Sequence, residues 1–157
     1  MHHSFSYNKK QVIQGLRYHF ITRPEVRLLV IMVNVFAIIA AVLYALKKIR
    51  PEPFLLGSTL WLLIMAAFWY FLPNTVYRRA ATFKESFTIY FNEYDVRLES
   101  GQGYVDWNWK QFTSFFESPN FFHLYFSAKA FFLVPKDNMS QEDRHELRGL
   151  LNSKITK

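Results

Sequence analysis

The chain has 157 residues, 51% hydrophobic and 19% aromatic, with a formal charge of +7 and no cysteine. Without cysteine there is no disulfide scaffold, Cys-ligated zinc, iron–sulfur cluster or thiol catalysis. Residues 1–81 hold ten Lys/Arg against two acids, a net of +8, while residues 82–157 hold nine against ten, a net of −1. A nucleic-acid binder carries its basic charge on the folded domain that meets phosphate. Here the basic residues flank apolar runs, which points to lipid headgroups and away from nucleic acid.

Residues 1–27 read as an N-terminal arm. Ser4-Phe5-Ser6-Tyr7 alternates as a short strand, and His2-His3 before it reads as a disordered end. Asn8 is placed to cap a helix over Lys9–Phe20. In it Val12, Ile13, Leu16 and Phe20 recur at helical spacing, with Lys9, Lys10, Gln14 and Arg17 elsewhere on the wheel. Such a basic amphipathic helix fits either the inner leaflet or a packing site on a folded domain. Arg23-Pro24 marks a break.

Residues 28–73 form a two-helix hairpin. Residues 28–46 and 54–72 are uncharged apolar runs of 19 residues each. A bilayer core about 30 Å thick needs about 20 residues of helix. The first run follows 27 mostly polar residues, and no small-residue cleavage site comes after it, so both runs read as retained spans. The segment 47–53 between them, with Pro51 and Pro53, reads as a tight turn and puts both termini on one side. Five Lys/Arg precede the first span and three (Arg78, Arg79, Lys84) follow the second, against three in the turn. Positive-inside counting then places both termini in the cytoplasm. Inside the spans Asn34 is read as a hydrogen-bonding group within the hairpin, and Ala37 and Ala41 as a close-packing face. No Asp, Glu, Lys, Arg or His lies in either span, which argues against a pump, channel or transporter.

Residues 82–157 read as short strands and one helix. Ser86–Asn92 alternates with Phe87, Ile89 and Phe91 on one face. Tyr94–Glu99 follows with Tyr94, Val96 and Leu98 inward. Gly101-Gln102-Gly103 is a hairpin turn. Tyr104–Lys110 sets Val105, Trp107 and Trp109 on one face. Phe112–Glu117 precedes a Ser118-Pro119-Asn120 turn, and Phe121–Phe126 with Ala130–Val134 makes a last hairpin. Ser140 and Asp143 have capping-box spacing, and Leu147, Leu150, Leu151 and Ile155 form an apolar stripe. The fold class expected is thus a membrane α-helical hairpin plus an α+β domain: a small antiparallel sheet or open barrel capped by one C-terminal helix.

A basic arm, a two-helix hairpin and a small sheet ending in a helix resemble the YcxB-like family of bacterial membrane proteins. Val105-Asp106-Trp107-Asn108-Trp109-Lys110-Gln111-Phe112 resembles that family's tryptophan strand before a polar turn. Phe131-Phe132-Leu133-Val134-Pro135-Lys136 resembles its hydrophobic strand ending in Pro-Lys. The resemblance implies a PH-like soluble part, with no catalytic residues to carry over, and a bacterial inner membrane as the location. The C-terminal segment is short for seven strands, so either Phe5–Tyr7 supplies one or one is absent. Of the matching positions, Trp107 is read as core, Pro135 as the end of an edge strand and Lys136 as solvated.

No enzyme or cofactor pattern is present. His2, His3, His19, His123 and His145 lack metal spacing, and His123 is expected on an outer strand face. His145-Glu146 reads as a helix-surface pair, and Gly101-Gln102-Gly103 lacks the helix that phosphate binding needs. The expectation is a non-enzymatic, membrane-anchored cytoplasmic PH-like module. It binds a protein partner or lipid headgroups, by a sheet edge or the sheet's open corner. Lys9, Lys10, Arg17, Arg78, Arg79 and Lys84 orient it on anionic lipid. An accessory subunit of a membrane complex and an immunity protein against a toxin are the alternatives.

Overall fold

The computed structural model describes residues 1–155, so the last two positions of the expected 82–157 domain lie outside the described residues. The chain divides into two compact units. One combines Met1–Gly15 with the residues from Ala80 on; the other is Leu16–Arg79.

The first unit holds two antiparallel sheets. Strands β1 (His2–Ser6), β2 (Ser86–Phe91), β3 (Asp95–Ser100) and β4 (Gly103–Asn108) form one sheet in that order. Strands β5 (Ser114–Glu117), β6 (Phe121–Tyr125) and β7 (Phe131–Pro135) form the other. The arm therefore supplies the seventh strand: Ser6 pairs with Ser86 and His2 with Tyr90. The helical segment is an insertion between two neighbouring strands. Phe5, Phe87, Ile89, Val96 and Leu98 of the first sheet meet Phe122, Leu124, Phe132 and Val134 of the second in one core. Each such side chain contributes roughly 1.5–3 kcal/mol when fully buried.

Helix α5 (Gln141–Lys154) adds Leu147 and Leu151 to that core, with Ile155 just beyond its end. Its start is a full capping box: Ser140 Oγ accepts from the Asp143 N–H, and Asp143 accepts from the Ser140 N–H. At the seam between the sheets Tyr7 donates to the Leu133 carbonyl at 2.7 Å, and His3 Nε2 lies 3.1 Å from the Pro135 carbonyl.

Five readings are corrected here. His2-His3 is ordered strand, because its backbone pairs with β2 and His3 is buried. Tyr94 is 79% exposed, since the β2–β3 turn occupies residues 92–94 and carries it out of the strand. Strand β4 stops at Asn108, which caps the short helical turn Trp109–Gln111. That turn buries Trp109, whose indole donates to the Asn92 carbonyl. Val105 shares the inner face yet is 50% exposed, because the second sheet leaves this end of β4 uncovered. His123 is fully buried, with Nε2 2.9 Å from Ser118 Oγ.

Helix α1 (Lys9–Thr22) starts on Asn8, whose Oδ1 accepts the Lys10 N–H. Its first part packs in the β-unit. Gln11 donates to Asp137, and Gln14 accepts from Asn120. A Cβ on Gly15 would meet the Phe121 ring at 2.8 Å, so only glycine allows this approach.

In the second unit, α2 (Pro24–Ala45) begins four residues before the expected span, with Pro24 at its first position, where a missing N–H costs nothing. Helix α3 (Pro51–Ala66) likewise absorbs Pro51 and Pro53, so the connection is shorter than 47–53. The helix does not stop at Leu72. It passes through a π-turn at Ala67–Phe71 into α4 (Leu72–Arg79), across Pro73. Pro73 has no N–H for the Trp69 carbonyl, and its ring crowds that group. Side chains take the loosened carbonyls: Arg17 Nε bonds Trp69, Asn74 bonds Tyr70 and Thr75 bonds Phe71. The stretches Pro24–Ala45 and Pro51–Arg79 are long and apolar enough to cross a membrane.

Candidate functional site

The β-unit presents one open corner. There β4 is an edge strand, bonded to β3 alone among the described strands. Trp107, on its inner face, is half-buried against Phe126 at 5.1 Å, Phe132 at 5.3 Å and Phe112 at 6.0 Å between ring centres. Trp107, Gln111 and Phe126 line a surface notch of about 420 Å³. Trp107 is thus part core and part surface. Alternation alone placed it inward but could not show that its cover is incomplete.

Pro135 ends β7, as read. Lys136 is a correction: it is 7% exposed rather than solvated. Its ammonium bonds Glu117 at 2.6 Å and lies 5.0 Å from the centre of the Phe122 ring. Glu117 also accepts two bonds from Arg148, at 2.7 Å each. Arg148, then Lys136, hold the Glu117 carboxyl down to about 2. The cluster ties β5 and the end of β7 to α5. Sequence reasoning missed it because its members lie 19 and 31 residues from Glu117.

The basic residues divide. Lys9, Lys10, Arg78, Arg79 and Lys84 are exposed. Arg17 instead turns to Trp69, with its guanidinium 5.7 Å from the ring centre and Nε 2.8 Å from the carbonyl. Replacing Arg17 with Gln should lower stability in detergent by about 1 kcal/mol. The loss should shrink in a Pro73→Ala background, where residue 73 regains an N–H for Trp69; thermal melting of the four-protein cycle checks it.

In the hairpin, Asn34 donates to the Val30 carbonyl of its own helix. Ala37 is half-buried, but Ala41 is exposed. The half-buried stripe of α2 is Val26, Val30, Val33, Ala37 and Ala40, alternating steps of four and three. Ala40 rather than Ala41 continues it. Tyr44 stacks on Phe54 at 4.4 Å near the turn. No three His, Asp or Glu side chains among the described residues are grouped to hold a metal.

No curated protein and no solved structure matches the chain. A family model described as YcxB-like protein matches residues 91–151, from the end of β2 into α5. That segment contains both motifs whose order carries the resemblance, so residues 91–151 are similar to the YcxB-like family and follow two long apolar helices.

Proposed function

We propose that the chain is a non-enzymatic, membrane-anchored module. Its α2–α3 hairpin spans the bacterial inner membrane with both termini in the cytoplasm, and a PH-like sandwich binds a protein partner or lipid headgroups at the inner leaflet. One observation carries the reading: α2 is 22 residues long and its most apolar window is wholly unburied within the chain. A helix of that length covers about 33 Å, enough to cross a bilayer core of about 30 Å. Leaving such a surface in water would cost far more than a domain's net stability. Four antiparallel strands, three more and a closing helix support the PH-like part. The exposed Lys9, Lys10 and Lys84 suit the anionic leaflet.

The cysteine-free chain allows a direct topology test. Lys48→Cys in the hairpin turn should react with a membrane-impermeant maleimide on intact spheroplasts. Gln102→Cys in the β3–β4 turn should react only after lysis. The reverse pattern would invert the topology, and release of the whole chain by carbonate would sink the anchoring.

A further inference from the structure

We propose that the free edge of β4 takes an extended peptide segment of a partner protein as an added strand, one apolar side chain of which fills the Trp107 notch. The proposal rests on reading the β-unit as a protein-binding module and says where and how it binds.

The two-residue Gly101-Gln102 turn closes on the Ser100–Gly103 pair, with Gly103 at φ 140°. Pairs therefore alternate so that Val105 and Trp107 bond inward to β3, while Tyr104 and Asp106 turn their N–H and C=O groups to the open edge. Asn108 would be next, but its N–H is already taken by Gln111 Oε1 at 3.0 Å. Two residues' worth of main chain is left for a partner, and the groups that complement it are another strand's.

Natural edge strands are blunted by proline, lysine, bulges or a covering element. β4 reads Gly-Tyr-Val-Asp-Trp-Asn and pairs with β3 without a bulge. The edge of β7 ends in Pro135, and side chains from the β1 arm reach its Leu133 and Pro135 carbonyls. β5 has only four residues. Of the edges of β4, β5 and β7, the unguarded one is thus beside the notch. An added strand would bring an inward side chain next to Val105 and Trp107, over Phe126. The two turns that bound the notch carry Lys110 and Lys129 and no acid, while Asp106 is already paired with Arg97. The partner segment is therefore β-prone, apolar at alternate positions and acidic at its flanks.

The test is selection of displayed random peptides on the full chain in nanodiscs. Enriched peptides should alternate an apolar residue with polar ones and carry acids. They should bind at least tenfold more weakly to Tyr104→Pro, which removes only an outward N–H, and to Val105→Lys, which puts a charge at the notch. Both variants should keep the wild-type melting temperature. Should either fail to fold, amide exchange on the wild type decides, with protection expected at Tyr104 and Asp106. No enrichment, equal binding by both variants, or protection elsewhere overturns the proposal. So does self-association abolished by Tyr104→Pro, which would assign the edge to a second copy. Retention in the membrane throughout would leave the anchoring intact.

Discussion

A fragment of residues 82–157 should stay unfolded. A chain joining Met1–Gly15 through a flexible Gly/Ser linker of about a dozen residues to Ala80 should fold without detergent. The short fragment lacks β1, whose five residues pair along β2. With it go the buried Phe5, in contact with Phe87 and Phe132, and the Tyr7 bond to Leu133. Losing a buried Phe costs about 3–5 kcal/mol, and each hydrogen bond about 1 kcal/mol more. Baring the core face of β2 adds to that. The total reaches the whole stability of a small domain, about 5–15 kcal/mol. Val12 and Gly15 supply a second contribution, since the arm's helix lies against the fully buried Phe121. Dispersed amide spectra and a cooperative melt for the linked chain, with neither for residues 82–157, are the expected results. A cooperative melt of the short fragment would show that β1 only decorates the sheet.

What was legible in the sequence depended on how local its cause is. The alternation in Ser86–Phe91, the capping box at Ser140 and the two apolar runs are set by neighbours within a few residues, and the structure has them. The arm's strand was legible as a pattern, and its joining the domain's strands as one of two options, while its pairing with β2 was not. Tyr94 went wrong because it falls in the β2–β3 turn, and Ala41 because the stripe steps from Ala37 to Ala40, whereas Val105 kept its face and lost its cover. Periodicity gives a face, but exposure depends on where the opposing layer ends. Where the helix runs on past Leu72, Asn74 and Thr75 bond carbonyls four residues back, but the Trp69 carbonyl is met by Arg17, 52 residues away, which no local rule foresees. Lys136 is buried on a partner 19 residues away, Glu117, while His123 is buried against Ser118, five residues back across the β5–β6 turn. The open corner behaves likewise. Both Trp107 and the sheet edge were visible, but that they adjoin each other, uncovered, is a property of the two sheets together.

Glu117→Gln should destabilise the β-unit by about 2–3 kcal/mol at neutral pH. The Lys136 side chain is 9% exposed and would be left with no carboxylate, whereas Arg148, at 42%, can relax into water. The cost stays below that of a fully buried pair because Glu117 is itself 25% exposed. The pH dependence has a definite sign. Folding lowers the Glu117 carboxyl from 4.5 to about 2, so its contribution is complete above 4.5 and is lost as pH falls toward 2. With solvent screening that loss is about 1–2 kcal/mol. The urea midpoint of the full chain in detergent should therefore fall more steeply between pH 5 and about 2.5 than that of Glu117→Gln. Adding Lys136→Met to Glu117→Gln should recover most of the neutral-pH loss, because the buried Lys136 head group left without its partner, rather than the missing carboxylate, is what costs. No recovery would place the loss in the Arg148 contact to α5 instead.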